Sequence, residues 1–298
     1  MAITSLARQF VDDGFVVVDN LLSRAELDAI VADAAKFARG DYPVLNPPTL
    51  PEGANDDEAL QHVLAVHFPH WVSQVALDMI NHPGIAEVLH QIVGAHLAHW
   101  DGAVKCCQSM LFVKGPGMPG QAWHQDERYI PTRDRSLLGA WIAIDDATID
   151  NGCLWVVPGS HRNGYLWPAG PHGNPDEYDT SDQAYGFDDS KSIAVEAKAG
   201  SVVFFNGYLL HRSLKNRTAG FRRALVFHYL NAWSLLPWKT NASVHGLEIP
   251  LLDSRAVVPV GADPYAAKGY STPPSQVFLR PIDNEWPDVD VFAEVDQA

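Results

Sequence analysis

The spacing of apolar residues changes character near residue 95, and the change divides the chain. Residues 3–12 predict a short helix that stops before Gly14, and Phe15-Val16-Val17-Val18 reads as a buried strand. Ser23-Arg24-Ala25-Glu26 has the form of a capping box, in which hydroxyl and carboxylate each accept a backbone N–H of the other's residue. Leu27, Ile30, Val31 and Ala34 then share one helical face. Residues 41–58, rich in Pro, Asn and Asp, predict loop. Helical spacing returns at 71–80 and 84–93, with Gly94 as the expected stop.

Beyond residue 95, short β-rich runs alternate with turn residues. The runs are Cys107–Val113, Leu138–Ile144, Cys153–Val157, Ile193–Ala197, Val202–Phe205 and Arg222–Tyr229. Turns fall at Gly115-Pro116-Gly117, Asp150-Asn151-Gly152 and Pro158-Gly159-Ser160. No long helix separates the runs, so a parallel sheet with helical crossovers is disfavoured. Antiparallel strands closing into a barrel or jelly roll are expected. The whole is a mainly β chain with added helices (α+β). Residues 164–190 form a polar insertion, and residues 239–298, with many Pro and Asp, are expected to wrap the barrel. No repeat or linker is visible, so one domain over 1–298 is expected: a helical part at about 1–95, a barrel core at about 96–235 and an irregular wrap at about 236–298.

Composition narrows the class. Hydrophobic residues make up 47% of the chain, enough for a sizeable core. No apolar run is long enough to cross a bilayer, and neither terminus carries a recognisable address, so no membrane role and a cytoplasmic location are expected. The formal net charge of −15 repels phosphate backbones, which argues against nucleic acid and for a small-molecule partner. Monomer and homodimer both stay open. Cys106, Cys107 and Cys153 fit no zinc spacing and read as small buried side chains. Arg212, Lys215, Arg217, Arg222 and Arg223 lie within twelve residues; all but Arg222 read as a solvated loop between strands.

A non-haem ferrous site for oxygen chemistry needs two imidazoles and one carboxylate on one face of the metal, with the other face open. An H-x-D segment in a strand supplies two of these, because side chains at i and i+2 point the same way. His124-Gln125-Asp126 is such a segment, and His99-Trp100-Asp101 is another. His124 follows a Gly-rich turn within the β-rich region, whereas His99 directly follows the helical part, so His124 and Asp126 are preferred. The apolar run from Val202 ends at His211, a candidate third ligand. In Arg222-Arg223 at the head of the last run, one arginine must face inward, and a buried guanidinium needs an anion. A dicarboxylate cosubstrate paired in bidentate fashion would serve. An internal salt bridge to one of the 36 acids is the alternative.

Three blocks carry a resemblance: Gly120-Gln121-Ala122-Trp123-His124-Gln125-Asp126, Asp150-Asn151-Gly152-Cys153-Leu154-Trp155-Val156-Val157-Pro158-Gly159-Ser160-His161, and Leu210-His211-Arg212-Ser213-Leu214-Lys215-Asn216-Arg217-Thr218 continuing to Phe221-Arg222. With Asp13-Gly14-Phe15 near the start, the chain from about Phe10 to Ala232 resembles the phytanoyl-CoA dioxygenase family of Fe(II)/2-oxoglutarate oxygenases. The resemblance implies a double-stranded β-helix with added helices. It implies His124, Asp126 and His211 as iron ligands, and Arg222 as the anchor of the 2-oxoglutarate carboxylate. It also places Ser213 and Gln121 against the cosubstrate, and Met110 and Trp141 in its pocket wall. An upstream Lys or Arg of relatives has His67 as its substitute here. His161 reads as part of a turn, and His228 as core or a partner of the ligands. Halogenating relatives lack the carboxylate, so Asp126 favours oxygenation.

The implied reaction uses Fe(II), 2-oxoglutarate and O₂. It hydroxylates an aliphatic C–H of a small, mostly apolar metabolite and releases succinate and CO₂; substrate pose could instead give desaturation or rearrangement. Trp123, Trp155, Trp167, Trp233 and Trp238 are candidate lining residues. Two rival readings use the same ligands. One is a zinc hydrolase, for which Glu127 is the only close general base. The other is a non-catalytic metal-binding barrel that binds a small molecule.

Overall fold

Thr4 accepts a hydrogen bond from the Ala7 N–H and opens helix α1 (Ser5–Asp13), which Gly14 ends in the left-handed region. A side chain at Gly14 would also collide with the His161 ring. The structure, a computed structural model, describes residues 4–234, 242–244, 247–249, 256–268 and 275–282. After α1 come strand β1 (Phe15–Val18), α2 (Arg24–Arg39), β2 (Val44–Leu45), α3 (Asp56–Leu60), β3 (Val63–His67), α4 (Gln74–Ile80) and α5 (Pro83–Ile92). The capping box at Ser23 and Glu26 is formed. The later strands are β4 (Val104–Lys114), β5 (Gln121–His124), β6 (Leu138–Ala143), β7 (Leu154–Val156), β8 (Ala169–Gly170), β9 (Gln183–Ala184), β10 (Ile193–Val195), β11 (Val202–Asn206), β12 (His211–Ser213), β13 (Arg222–Asn231), β14 (Ala242–Val244), β15 (Leu247–Ile249), β16 (Val257–Val260) and β17 (Val277–Pro281).

Among the described residues, the larger sheet runs β1-β11-β6-β13-β4-β3-β17-β2, with β16 also on β4, and the smaller runs β10-β7-β12-β5. All pairings except β17 with β2 are antiparallel. The period of two sorts the side chains. Val202, Phe204, Leu225, Phe227 and Tyr229 face the helices and join the core beneath α1, α2 and α5. Trp141, Val203, Phe205, Ala224 and Val226 face the other way and meet Leu154 and Val156 of the smaller sheet. Each such apolar side chain, fully buried, contributes roughly 1.5–3 kcal/mol. The inner face is therefore mostly apolar, and any polar side chain on it is conspicuous.

The mainly β architecture with helices packed on one sheet agrees with the expected class, and four details differ. The segment 41–58 contains β2 and α3. The part read as helical also contains β3, which pairs with β4 and widens the larger sheet. Helix α5 ends at Ile92 with Val93 still right-handed, so Gly94 is not its cap. Gly94 is instead required because a Cβ there would lie 2.5 Å from the Trp100 ring. Within 239–298, β16 and β17 are integral to the larger sheet rather than irregular; most of that segment lies outside the described residues, as does Trp238 just before it. No described helix is long and apolar enough to cross a membrane.

Candidate active site

Antiparallel pairing of β12 with β5 sets His211 directly opposite His124, with ring centroids 4.1 Å apart. A side chain at Gly120 would fall 1.9 Å from the Ser213 carbonyl oxygen, so glycine there lets the two strands approach. Both imidazoles are held in the same way. His124 Nδ1 lies 2.7 Å from the Ala122 carbonyl, and His211 Nδ1 lies 2.9 Å from the Leu209 carbonyl. A carbonyl only accepts, so each Nδ1 carries a proton and Nε2 is the nitrogen left to bind a metal. Both Nε2 atoms face Asp126 Oδ1, at 3.7 Å and 3.6 Å. The donor atoms of the three residues lie within 4.8 Å of one another.

Asp126 opens a short 3₁₀ turn after β5, which aims its carboxylate back at the rings. Its second oxygen, Oδ2, accepts from His228 Nε2 at 2.9 Å. His228 comes from the inner face of β13, and this contact leaves Oδ1 for the other two imidazoles. Burial alone would raise the Asp126 pKa, but His211, His228 and His124 together outweigh it and hold the carboxyl well below its usual range. Burial, helped by the neighbouring His124, pushes His211 down to about 4, so it is neutral at physiological pH. Two imidazole nitrogens and one ionised carboxylate form a donor set suited to a borderline first-row cation such as iron. The residues present fit that group.

On the same inner face of β13, two residues before Ala224, stands Arg222. It is 3% exposed, and its guanidinium lies 5.5 Å from the centre of the Trp141 ring. Its Nε has no hydrogen-bond partner, and it forms no ion pair among the described residues. Burial pulls its pKa down to about 10. Arg223, on the other face, holds Asp145 in a bidentate pair at 2.8 and 2.7 Å. The pleat thus resolves which arginine turns inward, and the inward one has no internal salt bridge.

A cavity of about 550 Å³ joins these groups. His124, Asp126, His211, Arg222, Ser213, Gln121, Trp141 and Met110 all line it, as do His67 and His228. Leu64, Phe68, Phe112, Ile130 and Phe278 supply apolar wall. Thr180 and Ser181, from the 164–190 insertion, add a polar strip. That insertion is fastened by backbone bonds between Gly120 and both Glu177 and Asp179, and by a buried ion pair of Asp179 with Arg280 at 2.9 Å.

The expectation that these tryptophans line the pocket needs correction. Trp123, Trp155, Trp167 and Trp233 do not line the cavity. Trp123 precedes His124 and Trp155 sits between Leu154 and Val156, so the pleat sends both outward, where Arg212 stacks at 4.6 and 5.6 Å from their rings. Trp167 packs against Phe187 and Trp233 is exposed. His99 lies exposed in a turn at φ 64°, away from the cavity, and His161 bonds the Val11 carbonyl. The sequence reading also missed Lys114. It lines the cavity opposite Arg222 in the β4–β13 register. The signal was there: Met110, Phe112 and Lys114 alternate along one face of β4.

The sequence model of phytanoyl-CoA dioxygenase matches residues 10–224. A phytanoyl-CoA dioxygenase of Arabidopsis thaliana is 34% identical over 142 residues, covering 46% of this chain and 50% of that protein. A probable phytanoyl-CoA dioxygenase of Caenorhabditis elegans is 34% identical over 172 residues, covering 53% and 51%. The chain thus spans about half the length of the curated relatives it matches. Among solved structures, the epimerase SnoN in complex with Fe3+, alpha ketoglutarate and nogalamycin RO aligns with a TM-score of 0.63 at 19% identity, over 87% of this chain and 99% of that one. The non-heme monooxygenase ThoJ aligns with a TM-score of 0.63 at 20% identity, over 98% and 92%. At such identities the structural likeness establishes the fold, a cupin-like β architecture. The family match, by contrast, covers most of the chain and both strands that carry the paired imidazoles, so the chain belongs to the phytanoyl-CoA dioxygenase family.

Proposed function

We propose that this protein is an Fe(II)- and 2-oxoglutarate-dependent dioxygenase that hydroxylates an aliphatic C–H bond of a small, mostly apolar metabolite, with release of succinate and CO₂. The observation that carries the reading is Arg222: a buried guanidinium with no ion-pair partner, in the same cavity as two imidazoles and a carboxylate. An uncompensated buried cation is costly, and a dicarboxylate cosubstrate supplies its missing partner.

His124 Nε2, His211 Nε2 and Asp126 Oδ1 would hold the iron. When bound, iron and 2-oxoglutarate together supply the activation of O₂ and the oxidising power. The protein's own task is placement. The Ala122 and Leu209 carbonyls fix the two rings, and His228 fixes the carboxylate. Arg222 and Ser213 take the far carboxylate of the cosubstrate, with Gln121, Trp141 and Met110 around its body. Phe205, 4.6 Å from the His211 ring, keeps that side of the centre dry. Leu64, Phe68 and Phe278 favour an apolar substrate body, and Thr180 and Ser181 favour a hydroxyl or carbonyl on it.

Asp126 occupies the position a halide would need, which supports oxygenation. Hydroxylation is the simplest outcome; fold relatives include an epimerase and a carbocyclase, so substrate pose decides the product. The zinc hydrolase reading loses its base. Glu127 is 1% exposed and outside the cavity lining, and its Oε1 accepts from the Thr132 N–H and hydroxyl. A single domain is part of the proposal, supported by β1 and β17 lying in one sheet. The net charge of −15 supports a small molecule over nucleic acid as partner. The test is succinate formation from 2-oxoglutarate by Fe(II)-loaded protein, with and without a panel of apolar metabolites. Succinate is expected, and more of it with a true substrate. Metal-loaded protein that binds no 2-oxoglutarate overturns the reading.

A further inference from the structure

Lysine is almost never buried without a partner, yet Lys114 is 5% exposed on the inner face of β4. Its ammonium donates to Ser213 Oγ at 2.9 Å and to the Leu214 carbonyl at 2.7 Å. Neither acceptor carries a charge, and Lys114 forms no ion pair among the described residues. The fold makes room for it deliberately. A Cβ at Gly152 would lie 3.0 Å from Lys114 Nζ and 2.2 Å from the Leu214 carbonyl oxygen, and Gly152 is left-handed at φ +85°. The turn Asp150-Asn151-Gly152 is thus the floor beneath the ammonium.

Ser213 shows what the placement achieves. A hydroxyl has one proton and two lone pairs. Here Oγ accepts from Lys114 Nζ and from the Gln121 backbone N–H at 3.3 Å, so both lone pairs are used. The hydroxyl proton must go to a third group, and no described residue accepts it. Arg222 stands across the β4–β13 pair from Lys114. Burial, and next the charge of Arg222, push the Lys114 pKa well below its ordinary value. Lys114 and Arg222 thus face each other as two basic side chains, and an incoming carboxylate would relieve their repulsion.

We propose that Lys114 is a positioning residue for the distal carboxylate of the cosubstrate: it locks Ser213 as a hydrogen-bond donor and adds its charge to that of Arg222, so that the cavity selects a 2-oxo diacid over a 2-oxo monoacid. The inference rests on the 2-oxoglutarate reading of the cavity.

The test needs no turnover. Protein loaded with Mn(II) in place of iron is titrated with 2-oxoglutarate and with 2-oxobutyrate, which lacks the distal carboxylate. Tryptophan fluorescence, with Trp141 beside Arg222, is the readout. Wild type is expected to prefer the diacid. Lys114→Met is expected to weaken 2-oxoglutarate binding by about tenfold to a hundredfold, the worth of a charge-assisted hydrogen bond, with 2-oxobutyrate and Mn(II) binding unchanged. Lys114→Gln, which keeps a donor but no charge, should fall between, and it carries the same ratio test if Lys114→Met does not fold. Ser213→Ala should cost much less in the Lys114→Met background than alone, because the two act through one contact. Equal weakening of both acids, weakened Mn(II) binding, or additive effects would overturn the proposal. A wild type that does not discriminate between the acids overturns the reading beneath it, and does so before any variant is made.

Discussion

At one end of the cavity Asp126 faces three imidazoles; at the other, Arg222 and Lys114 stand opposite each other without an ion-paired carboxylate among the described residues. The first end is complete in itself. Each coordinating ring is tied to the backbone carbonyl two residues before it, and the carboxylate is tied to His228. Its geometry is set before any metal arrives. The second end is rigid but unbalanced, since its donors are fixed while its charge awaits an anion. Arg223 shows that the same strand can find a counter-ion when one is wanted, for it holds Asp145 with both arms of the guanidinium. The contrast separates two ways of preparing a site: orientation supplied by the protein, and neutralisation left to the ligand.

The largest effect should come from the complete end. His211→Ala leaves two of the three donors, and Fe(II)-dependent consumption of 2-oxoglutarate should drop to background. Retained turnover would show that the ring is not a ligand. Next is Arg222→Met at the unbalanced end. Truncating one member of a buried charged pair costs about 2–5 kcal/mol, so the cosubstrate should bind correspondingly more weakly. The same variant should melt at higher temperature than wild type when both are empty, because an uncompensated buried charge is gone. Arg223→Met should do the reverse, lowering the melting temperature and leaving cosubstrate affinity alone. If both arginine variants shift stability in the same direction, the distinction between the two ends fails. His228→Phe is a smaller step. It leaves Asp126 free to turn, and losses of about tenfold to a hundredfold in metal affinity are typical of removing such a support. Unaltered Fe(II) or Mn(II) affinity by titration would mean the carboxylate is held by its turn alone.

How far each end could be read from the sequence follows from how local its signals are. His124 and Asp126 sit two apart on one segment, and the run from Val202 to Leu210 delivers His211 at its end, so the imidazole cluster needs little beyond strand geometry. Arg222 was legible as a question: one arginine had to face inward, and only the pleat of β13 and the position of Asp145 say which. Lys114 shares its face with Met110 and Phe112, but its burial was not legible, because a lysine before Gly115-Pro116 resembles any solvated strand end. Its burial depends on pairing with a strand far along the chain. The tryptophans misled for the same reason in reverse. Apolar character marks Trp123 and Trp155 as buried, but alternation places them behind the cavity wall and Trp141 in front. Strand β3 was hidden because Val63–His67 is short and flanked by helical spacing, and only β4 beside it makes it a strand.

The end of β3 and the turn after it, with His67 and His70, carry the smallest expected effect. His67, half-buried, and His70, buried, are neutral rings, pushed by loss of solvent down to about 3 and about 4. His70 is held by Ser109 at 2.5 Å, and His67 lines the cavity. In the unfolded chain both rings take up a proton near pH about 6.5. Above that value neither state is protonated and the full stability is present. As the pH falls from about 6.5 towards 4, the unfolded chain binds protons that the folded one refuses, so stability falls with it. Each ring contributes at most about 1.4 kcal/mol per pH unit in that window. Metal-free wild type should therefore melt at steadily lower temperature between pH 6.5 and 4.5, and His70→Gln should flatten the slope. Arg222 and Asp126 stay ionised throughout this window, so a slope that survives His70→Gln unchanged would move the acid sensitivity from His70 to His67 and His211.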